Sequence, residues 1–315
     1  MVLPVQHALQ GHPESGRLWE SHINSILQSA PFHFKSTTHD RNIYTATIED
    51  EQVLLLKQVD DFALACSNEG LAQRLYERLG KSLQLPTEKQ PPFKYLGLLT
   101  QFNGVDVHQY NDSIVISAES YLDRVMKSHK WTTPSDKPTT LPVPADTVNT
   151  AHLHTGFPEG TSEYAALANK HGFAYRTLLG ELLYAYVTCR PDCGYSTVLL
   201  SRFATCPADQ HYSLLRNVAK YLRDTKHWGI TYRRSTTNTS LPPNPHPRLV
   251  LPDDLPPFPT PTNPTDLCCY VDAAHANDPH KRRSTTGYAL LLAGGAISYR
   301  SKTQSITATS STEGS

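Results

Sequence analysis

Between Gly16 and Leu27 the apolar residues Leu18, Trp19, Ile23, Ile26 and Leu27 recur at helical spacing behind Pro13-Glu14-Ser15, which predicts a helix near the start of the chain. The period then changes. Asn42 to Ile48 alternates, Glu49-Asp50-Glu51 interrupts, and Val53 to Val59 is apolar and β-prone, so a strand, a turn and a strand are expected. A further apolar run, Phe62 to Cys66, begins directly after Asp60-Asp61 and places two neighbouring carboxylates at a turn between strands. Leu71 to Leu83 is an amphipathic helix by its spacing, Phe93 to Phe102 and Val105 to Ile116 read as strands, and Tyr121 to His129 as a helix.

The middle of the chain is mostly helical: Tyr175 to Val187, with Leu178, Leu179, Leu182, Leu183 and Tyr186 on one face, then Ser196 to Phe203 and Ala208 to Arg223. Near the end Leu267 to Asp272, Gly287 to Leu292 and Ala296 to Tyr299 read as three strands, the last two joined by a turn at Gly294-Gly295. Ser310-Ser311-Thr312-Glu313 has the form of a helix start. Runs of strands and runs of helices together predict an α+β fold. Ten of the 24 prolines fall between Pro242 and Pro264, a density that excludes helix and central strand and predicts an extended linker. A softer break runs from about Thr132 to Thr161, and no internal repeat is present.

With 38% hydrophobic and 9% aromatic residues in 315, the chain has enough apolar material for a core, which excludes a disordered polypeptide. No run of eighteen apolar residues occurs, so no membrane-spanning helix is expected. Lys+Arg 29 balances Asp+Glu 29, yet residues 170–234 hold ten basic against four acidic side chains, a local excess suited to a polyanion or simply to solvated helix faces. The first residues lack the pattern of a signal peptide. The six cysteines, Cys189 and Cys193 among them, have neither disulfide-scaffold density nor zinc-ligand spacing, so reduced core thiols in an intracellular compartment are expected.

Adjacent Asp residues at a turn can be merely solvated. Here the apolar flanks predict a buried hairpin, in which Asp60 and Asp61 would need a cation or a partner to neutralise them. Mg²⁺ suits, because it takes few carboxylates together with substrate phosphates. Asp272 at a strand end and Glu313 as a helix-capping acid have ordinary structural readings of their own, and His211 reads as a packing or capping residue.

Gln58-Val59-Asp60-Asp61 resembles the Tyr-Val-Asp-Asp box of retroelement reverse transcriptases, and its surroundings resemble copia-type LTR retrotransposon Pol polyproteins. Ala8 to Trp19 is similar to that family's Ala-Leu-Tyr-Gly-Leu-Lys-Gln-Ser-x-Arg-x-Trp segment, and Lys94-Tyr95-Leu96-Gly97 to its Phe-Leu-Gly strand. Tyr175-Arg176, Gly180 to Tyr184 and Thr188 to Asp192 resemble its Tyr-Arg, Gly-Ser-Leu-Leu-Tyr and Thr-Arg-Pro-Asp signatures, continued by Leu200 to Phe203, His211 and Lys220-Tyr221-Leu222. Tyr270 to Ala276, Arg283 to Tyr288 and Ser310 to Glu313 are similar to the start of its ribonuclease H domain. Gln58 departs from the usual Tyr, and Gly11-His12-Pro13-Glu14 from Gly-Leu-Lys-Gln.

The resemblance implies a reverse transcriptase palm over 1–131, a linker over 132–165, a helical thumb or connection region over 166–235, a Pro-rich linker over 236–265, and the start of a ribonuclease H-like α/β fold over 266–315. It implies that Asp60 and Asp61 hold Mg²⁺ for nucleotide addition, with Asp60 the principal ligand, and that Asp272 and Glu313 are catalytic, metal-binding carboxylates of ribonuclease H. Arg17, Gln58, Lys281, Arg282 and Arg283 are the nucleic-acid contacts it implies, with RNA template, DNA primer, RNA–DNA hybrid and dNTP as partners, in a cytoplasmic particle and then the nucleus. The family's fingers and its first catalytic Asp lie upstream of the Ala8 to Trp19 segment and the remaining ribonuclease H carboxylates beyond Ser315, so little or no polymerase activity is expected of these 315 residues alone. The rival expectation is a non-catalytic remnant of a decayed or domesticated element that binds nucleic acid or protein.

Overall fold

The computed structural model describes residues 11–84, 94–134, 139–144, 147, 150–234, 266–274 and 282–305, an α+β chain that divides into two units, 1–103 and 104–315. In the first unit helix α1 (Ser15–Gln28) precedes strands β1 (Lys35–Ser36), β2 (Ile43–Ile48), β3 (Glu51–Gln58) and β4 (Asp61–Ala65), followed by helix α2 (Glu69–Leu83) and the short β5 (Gln101–Phe102). Strands β1 to β4 form an antiparallel sheet in chain order. Glu49 and Asp50 between β2 and β3 both have positive φ, 53° and 63°, the mirror-image turn that matches the twist of adjoining strands. The inward residues Tyr44, Ala46, Ile48, Val53 and Leu55 pack with Ile23 and Leu27 of α1 and Leu71, Leu75 and Leu79 of α2. Asn68 starts α2 by accepting a 3.1 Å hydrogen bond from the Leu71 N–H, a cap that contributes about 1 kcal/mol.

The expected strand over 93–102 is regular only at β5. Its first residue, Phe93, lies outside the described residues, and Gly97 at φ 77° breaks the extended run, leaving Leu96 and Leu98 exposed.

The second unit holds β6 (Val105–Gln109), β7 (Ser113–Ser117), α3 (Glu119–Ser128), α4 (Ser162–His171), α5 (Tyr175–Cys189), α6 (Gly194–Ser201), α7 (Asp209–Asp224), β8 (Gly229–Arg233), β9 (Cys268–Ala274), β10 (Thr285–Leu292) and β11 (Gly295–Thr303). The single strand expected over 105–116 is a hairpin, since the polar turn formers Asn111-Asp112 divide it. Strand β8 pairs antiparallel with β7 and was hidden behind helix-rich sequence; the first turn of α4 lies in the stretch read as linker, 132–165, and the helix was not expected as such because Leu167 is its one buried residue and gives no apolar period. Val143 and Ala151, from the same stretch, are buried in the core formed by α3, α5 and α7. Strands β9 to β11 make an antiparallel sheet in the order β11-β10-β9. Its hairpin turns at Ala293-Gly294 rather than Gly294-Gly295: Gly295 opens β11, where a Cβ would stand 2.5 Å from the Tyr232 ring. The Pro-rich segment 242–264 and Ser310 to Glu313 lie outside the described residues. No helix among the described residues is long and apolar enough to cross a membrane.

Candidate functional site

Strands β3 and β4 pair to their ends, Lys57 opposite Phe62 and Gln58 opposite Asp61, so only Val59 and Asp60 lie outside the ladder. The tip is therefore a two-residue turn carrying Asp60 and, at the first position of β4, Asp61. Both carboxylates are exposed, as is Gln58. This corrects the expectation of a buried tip that needs a cation or a partner: the turn projects past the last cross-strand pair, and water solvates it. Val59 has φ 56°, which is sterically costly for a β-branched residue, of the order of 1–3 kcal/mol.

Helix α1 fastens this strained turn. The indole Nε1–H of Trp19 donates a 2.9 Å hydrogen bond to the Val59 carbonyl. Next to it in sequence, Glu20 forms an ion pair with Lys57, whose side chain is 0% exposed. Tyr44 donates to Asn24 on the same helix. The motif reading passed over Glu20 and Lys57, although alternation held a signal: Val53, Leu55 and Lys57 share the inward face of β3, and an inward lysine requires an acid. Arg17 projects from α1 and pairs with Glu14 at 2.6 Å.

The donor chemistry of Asp60 and Asp61 fits magnesium. They are hard oxygen ligands open to water and phosphate, and Mg²⁺ commonly rests on one or two carboxylates with substrate and water completing its shell. Among the described residues no group of three or more His, Cys, Asp or Glu side chains gathers as a metal cage.

In the second unit Asp272 is exposed on β9 and its Oδ1 accepts from the Ala273 N–H at 2.9 Å. It borders a cavity of about 380 Å³ shared with Asp192, Tyr195, Tyr288 and Arg300. Arg282, at φ 50°, is exposed and Arg283 half-buried; Lys281 and Glu313 lie outside the described residues. Much of the basic excess of 170–234 is engaged internally. Lys170 pairs with Asp209, Arg176 with Glu159, Arg223 with Asp224 and Lys226 with Asp123, while Arg216 lies over the rings of Trp131 and Phe173.

Arg190 is sealed in the core. It forks onto Asp192 at 2.6 and 2.9 Å and donates to the Thr225 hydroxyl at 2.6 Å and carbonyl at 3.0 Å. Burial acts to raise the Asp192 carboxyl, but hydrogen bonds and charge from Arg190 overcome it and hold that carboxyl below the usual range. His211 is buried too: Nδ1 accepts from the Ala208 N–H at 2.8 Å, capping α7, and Nε2 donates to the Ala151 carbonyl at 2.6 Å, while desolvation lowers its pKa. Cys189 and Cys193 are free buried thiols, and desolvation pushes the Cys189 pKa up to about 11.

Residues 1–144 match the family model described as reverse transcriptase (RNA-dependent DNA polymerase), and this range contains the whole hairpin. A retrovirus-related Pol polyprotein from transposon TNT 1-94 of Nicotiana tabacum is 26% identical over 99% of the chain. Over these 144 residues the chain matches the reverse transcriptase family, and over most of its length it is similar to copia-type Pol polyproteins of plant and yeast transposons. It spans about one fifth of the length of the tobacco polyprotein. Two other relatives are shorter. A putative transposon Ty5-1 protein of Saccharomyces cerevisiae is 26% identical over 96% of the chain and 82% of its own length. A protein named secreted RxLR effector protein 161, of Plasmopara viticola, is 33% identical over 44% of the chain and 79% of its own length. No solved structure matches.

Proposed function

We propose that this chain contributes the Asp60-Asp61 hairpin to the nucleotidyl-transfer site of a copia-type reverse transcriptase. The reading is carried by one observation: the two carboxylates occupy an exposed, helix-braced hairpin tip within the residues that match the reverse transcriptase family. In it residues 1–131 are palm, the helical block belongs to the thumb or connection, and β9 to β11 open a ribonuclease H-like sheet with Asp272 on its first strand.

Asp60 and Asp61 would hold magnesium, and Asp60, in the turn itself, is the principal ligand. Bound there, magnesium would supply the positive charge that stabilises the attacking and departing oxygens of phosphoryl transfer. The chain's own part is positional: the tip presents both carboxylates to solvent, where a primer end and a nucleotide can approach, and Gln58 faces the same approach in place of a tyrosine. RNA template, DNA primer and dNTP are the partners this reading requires, with an RNA–DNA hybrid at Asp272.

Primer extension on an RNA template tests it, with the chain expressed inside a copia-type Pol polyprotein. Asp60→Asn is expected to lower extension by more than about 100-fold, in keeping with the loss of an electrostatic group aimed at developing charge. Undiminished extension by Asp60→Asn would overturn the assignment. A second reading, a binding protein without turnover, draws support from the relative named as a secreted effector, which shares almost half of this chain. It predicts duplex binding with no Mg²⁺-dependent extension in any context.

A further inference from the structure

Three independent features converge where the hairpin tip is attached to α1. A valine stands at a backbone angle that disfavours it, φ 56°. A tryptophan indole, far from it in sequence, is spent on that valine's carbonyl at 2.9 Å. A lysine two positions earlier is wholly buried against the glutamate that adjoins the tryptophan. Each carries a cost, in strain, in indole orientation or in desolvated charge, and all three converge on one turn.

We propose that Trp19, seconded by the Glu20–Lys57 pair, is a positioning residue that holds Val59 in its left-handed conformation and thereby fixes where Asp60 and Asp61 present their oxygens. The inference rests on the metal-binding reading of those carboxylates. Without the indole N–H, Val59 relaxes toward the extended region that β-branched residues prefer, and the turn reorients both carboxylates. Glycine at 59 adopts the left-handed conformation at no steric cost, so in that background the clasp is dispensable.

The test is Mn²⁺ affinity of the full 315-residue protein, read by electron paramagnetic resonance of free Mn²⁺, for wild type, Trp19→Phe, Val59→Gly, the double variant, Asp60→Asn and Leu75→Ala. Trp19→Phe keeps the ring and loses only the donor; it is expected to weaken Mn²⁺ binding three- to tenfold, while Val59→Gly alone changes it less than twofold and restores affinity in the double variant. Leu75→Ala, which destabilises the core at a distance from the tip, is expected to leave affinity unchanged in folded protein. Two failures are distinct. If Asp60→Asn does not weaken Mn²⁺ binding, the carboxylates are not the metal site and the underlying reading falls. If Asp60→Asn weakens it but Trp19→Phe does not, or if glycine at 59 gives no rescue, the positioning role is wrong while the metal site stands. Amide exchange at Asp60 and Asp61 without metal gives a second readout, expected to quicken in Trp19→Phe and not in Leu75→Ala.

Discussion

Arg190 shows how a signature residue can be structural. Its guanidinium is 1% exposed and satisfied by Asp192 and Thr225, so it cannot reach a phosphate. Arg190→Met leaves Asp192 without its counter-charge. The expected loss is about 3 kcal/mol, at the low end for a broken buried pair because the Asp192 side chain keeps 28% exposure; urea denaturation checks it. Arg190→Lys should rescue little, since an ammonium cannot fork onto both carboxylate oxygens and Thr225 together. His211 makes a pH-dependent contribution whose sign follows from its neutral role. Desolvation puts its folded pKa below the unfolded value, so its contribution is whole above about pH 6.5 and declines as pH falls from there toward the folded pKa. His211→Gln should therefore cost stability at neutral pH and show a shallower loss on acidification than wild type. Equal slopes in urea titrations of the two proteins would refute that account.

At the level of elements, close approach of backbones decides what side chains are allowed. Gly229 opens β8 against β7, where an added Cβ would sit 2.1 Å from the Ile116 carbonyl oxygen. Gly229→Ala should cost about 1–3 kcal/mol and speed amide exchange along β8. Gly180 in α5 makes the opposite case: nothing lies within 4 Å of its Cβ position, so Gly180→Ala should stabilise by about 0.5–1 kcal/mol through helix propensity. Strong periods made α1, α2, α5 and α7 legible in the sequence, and the turn between two apolar runs made the Asp60-Asp61 tip legible. Strand β8 and α4 were not, because β8 exists by pairing with β7 across more than a hundred residues and α4 buries little. The brace on the tip was hidden for the same reason. Trp19 and Lys57 read locally as apolar-helix and strand residues, and only the fold sets them against Val59 and Glu20.

For the whole molecule, charge placement sets how nucleic acid could be held. The formal net charge is zero, and the one basic stretch, 170–234, spends Lys170, Arg176, Arg223 and Lys226 on neighbouring acids and Arg190 and Arg216 on the core. A field that attracts a polyanion needs basic groups that exchange counterions with phosphate, and a group already paired with a carboxylate releases none. Each duplex phosphate neutralised contributes roughly −0.9 to the slope of log affinity against log salt, so with six of the ten basic side chains of 170–234 engaged internally the slope should fall well short of the roughly −9 that all ten would give. Fluorescence anisotropy of a labelled RNA–DNA hybrid, titrated with the 315-residue protein at several salt concentrations, should return such a shallow slope and weak binding at physiological salt. A slope steeper than about −6 would mean that the internal ion pairs open to meet the duplex. In that event Asp209→Asn and Glu159→Gln, which free Lys170 and Arg176, should leave the slope unchanged. If the pairs stay closed in the complex, the same substitutions should steepen it by about one for each lysine or arginine released.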